Sequence, residues 1–137
     1  MQLTRHYHFC ASHRLHSEEL SKEANQELYG KCNNPYGHGH NYELEVTVSG
    51  PIDRQTGRVV DIQDLDALVQ GHVTEPLDHR NLNEEVMEFQ QLVPTTENLG
   101  MIIDKRLRAA WPRVFPERTP VLERVRIYET ARNIFEI

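Results

Sequence analysis

The stretch from Gly30 to Ser49 constrains this chain more than any other part of it. Cys32 is followed by five residues, Asn33-Asn34-Pro35-Tyr36-Gly37, and then by His38-Gly39-His40. The segment runs on as Tyr42-Glu43-Leu44-Glu45-Val46-Thr47-Val48-Ser49, an alternation of apolar and polar residues. Alternation at period two is the pattern of a half-buried strand. In a strand, residues i and i+2 point to one side. A strand that begins near His38 therefore puts His38 and His40 at the open end of the face that carries Tyr42, Leu44, Val46 and Val48. Asn33, Asn34, Pro35 and Gly37 are turn formers, so Cys32 lies on a loop able to fold back toward the two imidazoles.

The flanking segments supply the rest of an α+β domain. Residues 5–13 read as a strand with Tyr7, Phe9, Ala11 and His13 on one side, so His13 ends an apolar face much as His38 and His40 begin one. Residues 14–31 are polar; a short helix over Ser17–Leu28 or a flap fits them. Gly50-Pro51 stops the second strand, Asp53–Gly57 makes a turn, and Arg58–Ile62 is expected to return as a hairpin strand. Asp61 is a helix N-cap for the stripe Ile62, Leu65, Leu68, Val69 and Val73, which Pro76 is expected to end. Thr95-Thr96-Glu97-Asn98 opens a second helix with Leu99, Ile102, Ile103, Leu107 and Ala110 on its apolar stripe, closed by Trp111-Pro112. A strand over Glu123–Thr130 follows, with a short one at Ile134–Ile137. The expected layout is one domain over residues 1–137. It has an antiparallel four-stranded sheet with two helices on one face, whose open edges favour oligomerisation.

Composition narrows the function. The formal net charge of -6 argues against a general binder of nucleic acid or anionic membrane. No apolar run approaches the roughly 20 residues that span a bilayer, and the first residues lack a signal-peptide core. Two cysteines, Cys10 and Cys32, suit a cytoplasmic protein with reduced thiols. Eight histidines in 137 residues make a metal site worth seeking. His13, His38 and His40 offer three neutral imidazoles, and three such ligands with an open fourth position are the makings of a catalytic zinc centre. Cys32 either closes that centre as a fourth ligand or stands off it as base or nucleophile, with Lys31 favouring the thiolate. His79 can relay a proton and Asp78 can orient it. Glu129 continues the apolar face of Val125 and Ile127, and a buried carboxylate requires a partner.

The segments Ala11-Ser12-His13-Arg14-Leu15, Gly30–Pro35, Gly37–Tyr42, Pro76-Leu77-Asp78-His79, Thr95–Asn98 and Tyr128-Glu129-Thr130 together resemble the 6-pyruvoyl tetrahydropterin synthase family, in the same order and over nearly the whole chain. The resemblance implies the tunnelling fold, in which subunits join their sheets into barrels, and a homohexamer of two trimers. It implies a zinc-dependent lyase that eliminates triphosphate from 7,8-dihydroneopterin triphosphate to give 6-pyruvoyl-tetrahydropterin, in tetrahydrobiopterin biosynthesis. In that pattern His13, His38 and His40 match the zinc ligands and Cys32 the proton-abstracting residue. Asp78 and His79 match the pair that activates the cysteine from a neighbouring subunit, and Glu129 matches an acid of the proton relay. Glu97, with Thr96 beside it, matches the pterin anchor. Arg14, Lys31 and Arg80 are candidates for the triphosphate. The similar 6-carboxytetrahydropterin synthases act on the same substrate, in the queuosine and deazapurine pathway, but their cysteine typically sits nearer the His-Gly-His block. A non-enzymatic zinc- or pterin-binding module is the reading from another class. This chain departs from the family pattern at Ala131-Arg132 and at Cys10, where serine is usual.

Overall fold

The computed structural model describes residues 1–137. Strand β1 (Gln2–His13) pairs antiparallel with β2 (His38–Ser49), in a register that sets His13 opposite His38 and Ala11 opposite His40. β2 pairs on its other side with β4 (Val121–Tyr128), and β4 with β5 (Ile134–Glu136). A two-residue strand, β3 (Arg80–Asn81), adds to β1 in parallel at Ala11 and Ser12. The sheet therefore has five strands in the order β3-β1-β2-β4-β5, not four, and it is not wholly antiparallel. β3 escapes sequence reading because two residues carry no periodicity.

The expected hairpin strand at 58–62 does not form. Both edges of β2 are already taken, by β1 and β4, so a strand returning as a hairpin has no free edge of β2 to pair with. The turn before that segment forms, with Asp53 Oδ1 accepting the N–H groups of Gln55 and Thr56, and residues 58–61 lead on, unpaired, into the next helix. Val60 still reaches the core.

The helices begin where their caps dictate. Helix α1 (Lys22–Tyr29) is capped by Ser21, whose hydroxyl accepts the Ala24 N–H, so it starts later than the 17–28 reading placed it. Asn25 explains the difference. Its wholly buried carboxamide accepts the Ser17 N–H and donates to the carbonyls of Ser17, Leu20 and Ser21, which holds residues 17–21 in a turn rather than a helix. Helix α2 (Ile62–Val69) starts on Asp61, which accepts the N–H groups of Gln63 and Asp64. Pro76 does not stop it at once. The chain passes through a wide turn at Gln70–Thr74 into the short helix α3 (Glu75–Leu77). Proline lacks the N–H that would bond residue 72, and the freed His72 carbonyl accepts from Arg106. After α4 (Leu82–Glu85), helix α5 runs Thr96–Val114 with Thr95 as cap. Pro112 lies inside it, so Trp111-Pro112 does not close the helix as the sequence suggested.

The apolar stripes of α2 and α5 pack on one face of the sheet and enclose Phe9, Tyr42, Leu44, Val46, Leu65, Leu99, Ile103 and Ile127, all at most 2% exposed. Asp66 of α2 ties that layer to β1. Its carboxylate accepts two bonds from the Arg5 guanidinium at 2.8 Å each and one from the Tyr7 hydroxyl at 2.8 Å. The Arg5 bonds hold the Asp66 carboxyl below its usual range. A carboxyl depressed by folding stabilises above its unfolded pKa, and that stability is lost as pH falls through the folded value. Asp66→Ala is expected to cost about 1–3 kcal/mol near neutrality, chiefly by stranding the buried Tyr7 hydroxyl. The gap from wild type should narrow in urea titrations as pH falls through the lowered Asp66 range; a gap independent of pH would show that the charge contributes nothing.

Candidate metal and acid–base site

The site lies where the buried face of the sheet opens at one end. His13 ends β1, His38 and His40 begin β2, and Glu129 follows β4. His13 is fully buried. Its Nδ1 lies 2.9 Å from the Pro94 carbonyl, and a carbonyl only accepts, so Nδ1 carries the proton. The Nε2 lone pair is then free, and it faces His40 Nε2 at 3.1 Å. A histidine whose far nitrogen is bonded to a backbone carbonyl is oriented as metal ligands are. The Tyr42 hydroxyl lies by the same nitrogen, 3.4 Å from His13 Nδ1, and Phe9 stacks on Tyr42 with centroids 5.1 Å apart.

Burial lowers the proton affinity of both His13 and His40, so both are held neutral, the form that binds metal. Glu129 Oε1 lies 3.4 Å from His40 Nε2 with its side chain 13% exposed. That contact provides the partner its burial requires.

The ligand atoms of His13, Cys32 and His40 all lie within 4.8 Å of one another. Two neutral imidazoles and a thiol form a borderline-soft donor set that suits a transition cation. His38 stands outside this group. It is exposed, and its ring lies edge-on to that of His40 with centroids 4.7 Å apart. Cys32 sits on a short turn, Gly30–Asn33. Burial first, and Glu129 second, push its thiol up. That direction is opposite to the one expected from the exposed Lys31. Both cysteines are free.

Asp78 and His79 are not joined to this group within the chain. Asp78 Oδ1 accepts the Cys10 N–H at 2.8 Å, and the His79 N–H donates to the Cys10 carbonyl at 2.6 Å. The pair is thus anchored to β1 beside Cys10, not Cys32. His79 adopts φ 58°, and its ring is 81% exposed, 3.5 Å from Asp78 Oδ2. It lines an open cleft of about 480 Å³ with Cys10, Ser12, His40, Asn41 and Arg80. Cys10 donates to Asn41 Oδ1 at 2.8 Å, a bond that serine can also make.

Thr96 is 2% exposed and its hydroxyl lacks a well-formed hydrogen bond, while Glu97 is exposed in the first turn of α5. Ala131 and Arg132 are exposed in a turn where Thr130 Oγ1 accepts the N–H groups of Arg132 and Asn133. The departure from the family pattern therefore falls outside the Glu129–His40 contact. The Pro94 carbonyl and the Tyr42 hydroxyl were missed from sequence. A proline carbonyl carries no signal, and Tyr42 reads as ordinary core.

A family model described as 6-pyruvoyl tetrahydropterin synthase matches residues 2–137. The 6-pyruvoyl tetrahydrobiopterin synthase of Poecilia reticulata is 48% identical over 132 residues, which cover 96% of this chain and 86% of that protein. The solved structure of Caenorhabditis elegans 6-pyruvoyl tetrahydropterin synthase superposes with a TM-score of 0.88 at 39% identity, covering 100% of this chain and 94% of that one. The 6-carboxy-5,6,7,8-tetrahydropterin synthase of Rickettsia bellii is 25% identical over 152 aligned residues, covering 100% of this chain and 99% of that protein.

Proposed function

Because the chain belongs to the 6-pyruvoyl tetrahydropterin synthase family, we propose that it is a zinc-dependent lyase converting 7,8-dihydroneopterin triphosphate to 6-pyruvoyl-tetrahydropterin, for tetrahydrobiopterin synthesis. The observation that carries this reading is the convergence of His13, His40 and Cys32, with the His13 Nε2 lone pair aimed into their midst. The 48% likeness to a named pyruvoyl enzyme, against 25% to a carboxy enzyme, favours the pyruvoyl product.

His13, His38 and His40 would hold the zinc, with the exposed His38 as the third ligand. When bound there, zinc would supply Lewis acidity toward the substrate's side-chain hydroxyls. Cys32 then stands off the metal and moves protons between the side-chain carbons. Glu129, 3.4 Å from His40 Nε2, takes part in the relay. Glu97 accepts two hydrogen bonds from the pterin amino and ring nitrogens, and the unpartnered Thr96 hydroxyl supports it. Among the candidate cations, Arg14 is engaged with the Asn33 carbonyl and Arg80 lies 3.4 Å from Glu85. Lys31 is left for the triphosphate.

Asp78 and His79 serve the site of an adjoining copy, in a hexamer of two trimers whose sheets join into barrels. His79's exposure and the anchoring of the pair beside Cys10 favour action between subunits. The two free thiols suit a cytoplasmic location. No helix is long and apolar enough to cross a membrane.

The test is to incubate the zinc-loaded protein with 7,8-dihydroneopterin triphosphate and identify products by mass spectrometry, with sedimentation of the same sample. A pyruvoyl pterin, released triphosphate and a hexamer are expected. A carboxy pterin with acetaldehyde would move the chain to the other branch. No turnover would leave a binding module, and a monomer would overturn the shared site.

A further inference from the structure

The Cys32 sulfur makes no hydrogen bond of its own, so its position depends wholly on what fixes the turn beneath it. That turn is fastened to the chain leaving β1. The Leu15 N–H donates to the Cys32 carbonyl at 2.7 Å. Asn33, 5% exposed, donates from its carboxamide to the Leu15 carbonyl at 2.7 Å and to His16 Nδ1 at 3.0 Å. Both carboxamide hydrogens are thereby used. The opposite amide orientation would set two acceptor oxygens face to face, so the network itself fixes which way the side chain points. Arg14 Nε adds a bond to the Asn33 carbonyl at 3.3 Å. At the far end of the turn, a Cβ on Gly37 would come within 2.9 Å of the His13 carbonyl, and Gly37 has φ 82°.

The same three residues that follow His13 therefore receive the turn that bears Cys32. We propose that Asn33 is a positioning residue for the proposed lyase: through Leu15 and His16 it fixes the Cys32 sulfur relative to the His13 imidazole. This rests on the function proposed above, in which Cys32 moves protons. Proton transfer demands close placement, and a displacement of about 1 Å can cost about 100-fold in rate. Asn34, the next residue, offers no substitute. Its side chain accepts only the Tyr36 N–H, within the turn itself.

The test uses Asn33→Ala in the full zinc-loaded chain, with Cys10→Ser as background so that only one thiol reports. Zinc per chain, kcat and KM, thermal midpoint, and the rate of Cys32 alkylation by iodoacetamide are measured. The expected result is kcat reduced about 10- to 100-fold with KM within about twofold, full zinc, and an alkylation rate changed several-fold. His16→Ala is the second variant. It removes one acceptor from a side chain at the surface and should give a smaller change in the same direction with the fold intact. An unchanged kcat and alkylation rate in both variants would overturn the proposal. So would a loss of kcat matched by loss of zinc and of thermal midpoint, which would mark Asn33 as a structural residue. If the unmutated protein turns nothing over, the functional reading fails, and the alkylation rates still decide whether Asn33 places the sulfur.

Discussion

Cys32→Ala is expected to lose turnover by about 100- to 10,000-fold, the range for a general acid–base group, while binding zinc as fully as wild type. The sulfur lies with the two imidazoles, but nothing that orients them depends on it. His13 is fixed by Pro94 and flanked by Tyr42, and His40 is carried on β2, paired with β1 at Ala11. Removing a half-buried thiol that makes no hydrogen bond should cost little stability. Steady-state turnover and zinc content on one preparation decide the matter. Parallel loss of zinc and thermal stability would make Cys32 a fourth ligand of a closed site, and the chain a zinc-stabilised module instead of an enzyme.

His13→Ala is expected to have the opposite signature, with zinc content, activity and stability falling together. Disturbing an outer hydrogen bond to a ligand typically weakens metal binding 10- to 100-fold, and deleting the ligand should exceed that. The imidazole is also fully buried, so truncation opens a cavity and strands the Pro94 carbonyl. A lost buried partner costs about 1–3 kcal/mol before the cavity is counted. Chelator treatment of the wild type should reproduce the loss of activity, and added zinc should reverse it only when His13 is present. Zinc retained by His13→Ala at wild-type affinity would remove His13 from the ligand set.

Much of the sheet was legible along the chain. Tyr7, Phe9, Ala11 and His13 do share the buried face of β1, and His40 does open the buried face of β2. Asp61 and Thr95 cap the helices they were expected to cap. These readings rest on alternation and on bonds spanning three residues or fewer, which the local sequence contains. The errors have a different origin. Arg58–Ile62 has a strand's composition but no free edge of β2 to join, Pro76 is carried past a wide turn at Gln70–Thr74, and Pro112 lies inside α5.

Periodicity along the chain was enough to pick out the candidate imidazoles and the faces they lie on, because side-chain direction follows from the period of the local backbone. Only the tertiary structure decided which of them meet. It brought Cys32 to His13 and His40 while leaving His38 outside, and it anchored Asp78 and His79 beside Cys10. It also chose the His13 tautomer, through a carbonyl 81 residues away. Such contacts depend on how α5, the turn at Cys32 and β1 pack together, and packing is a property of the closed core. No stretch of chain carries it alone.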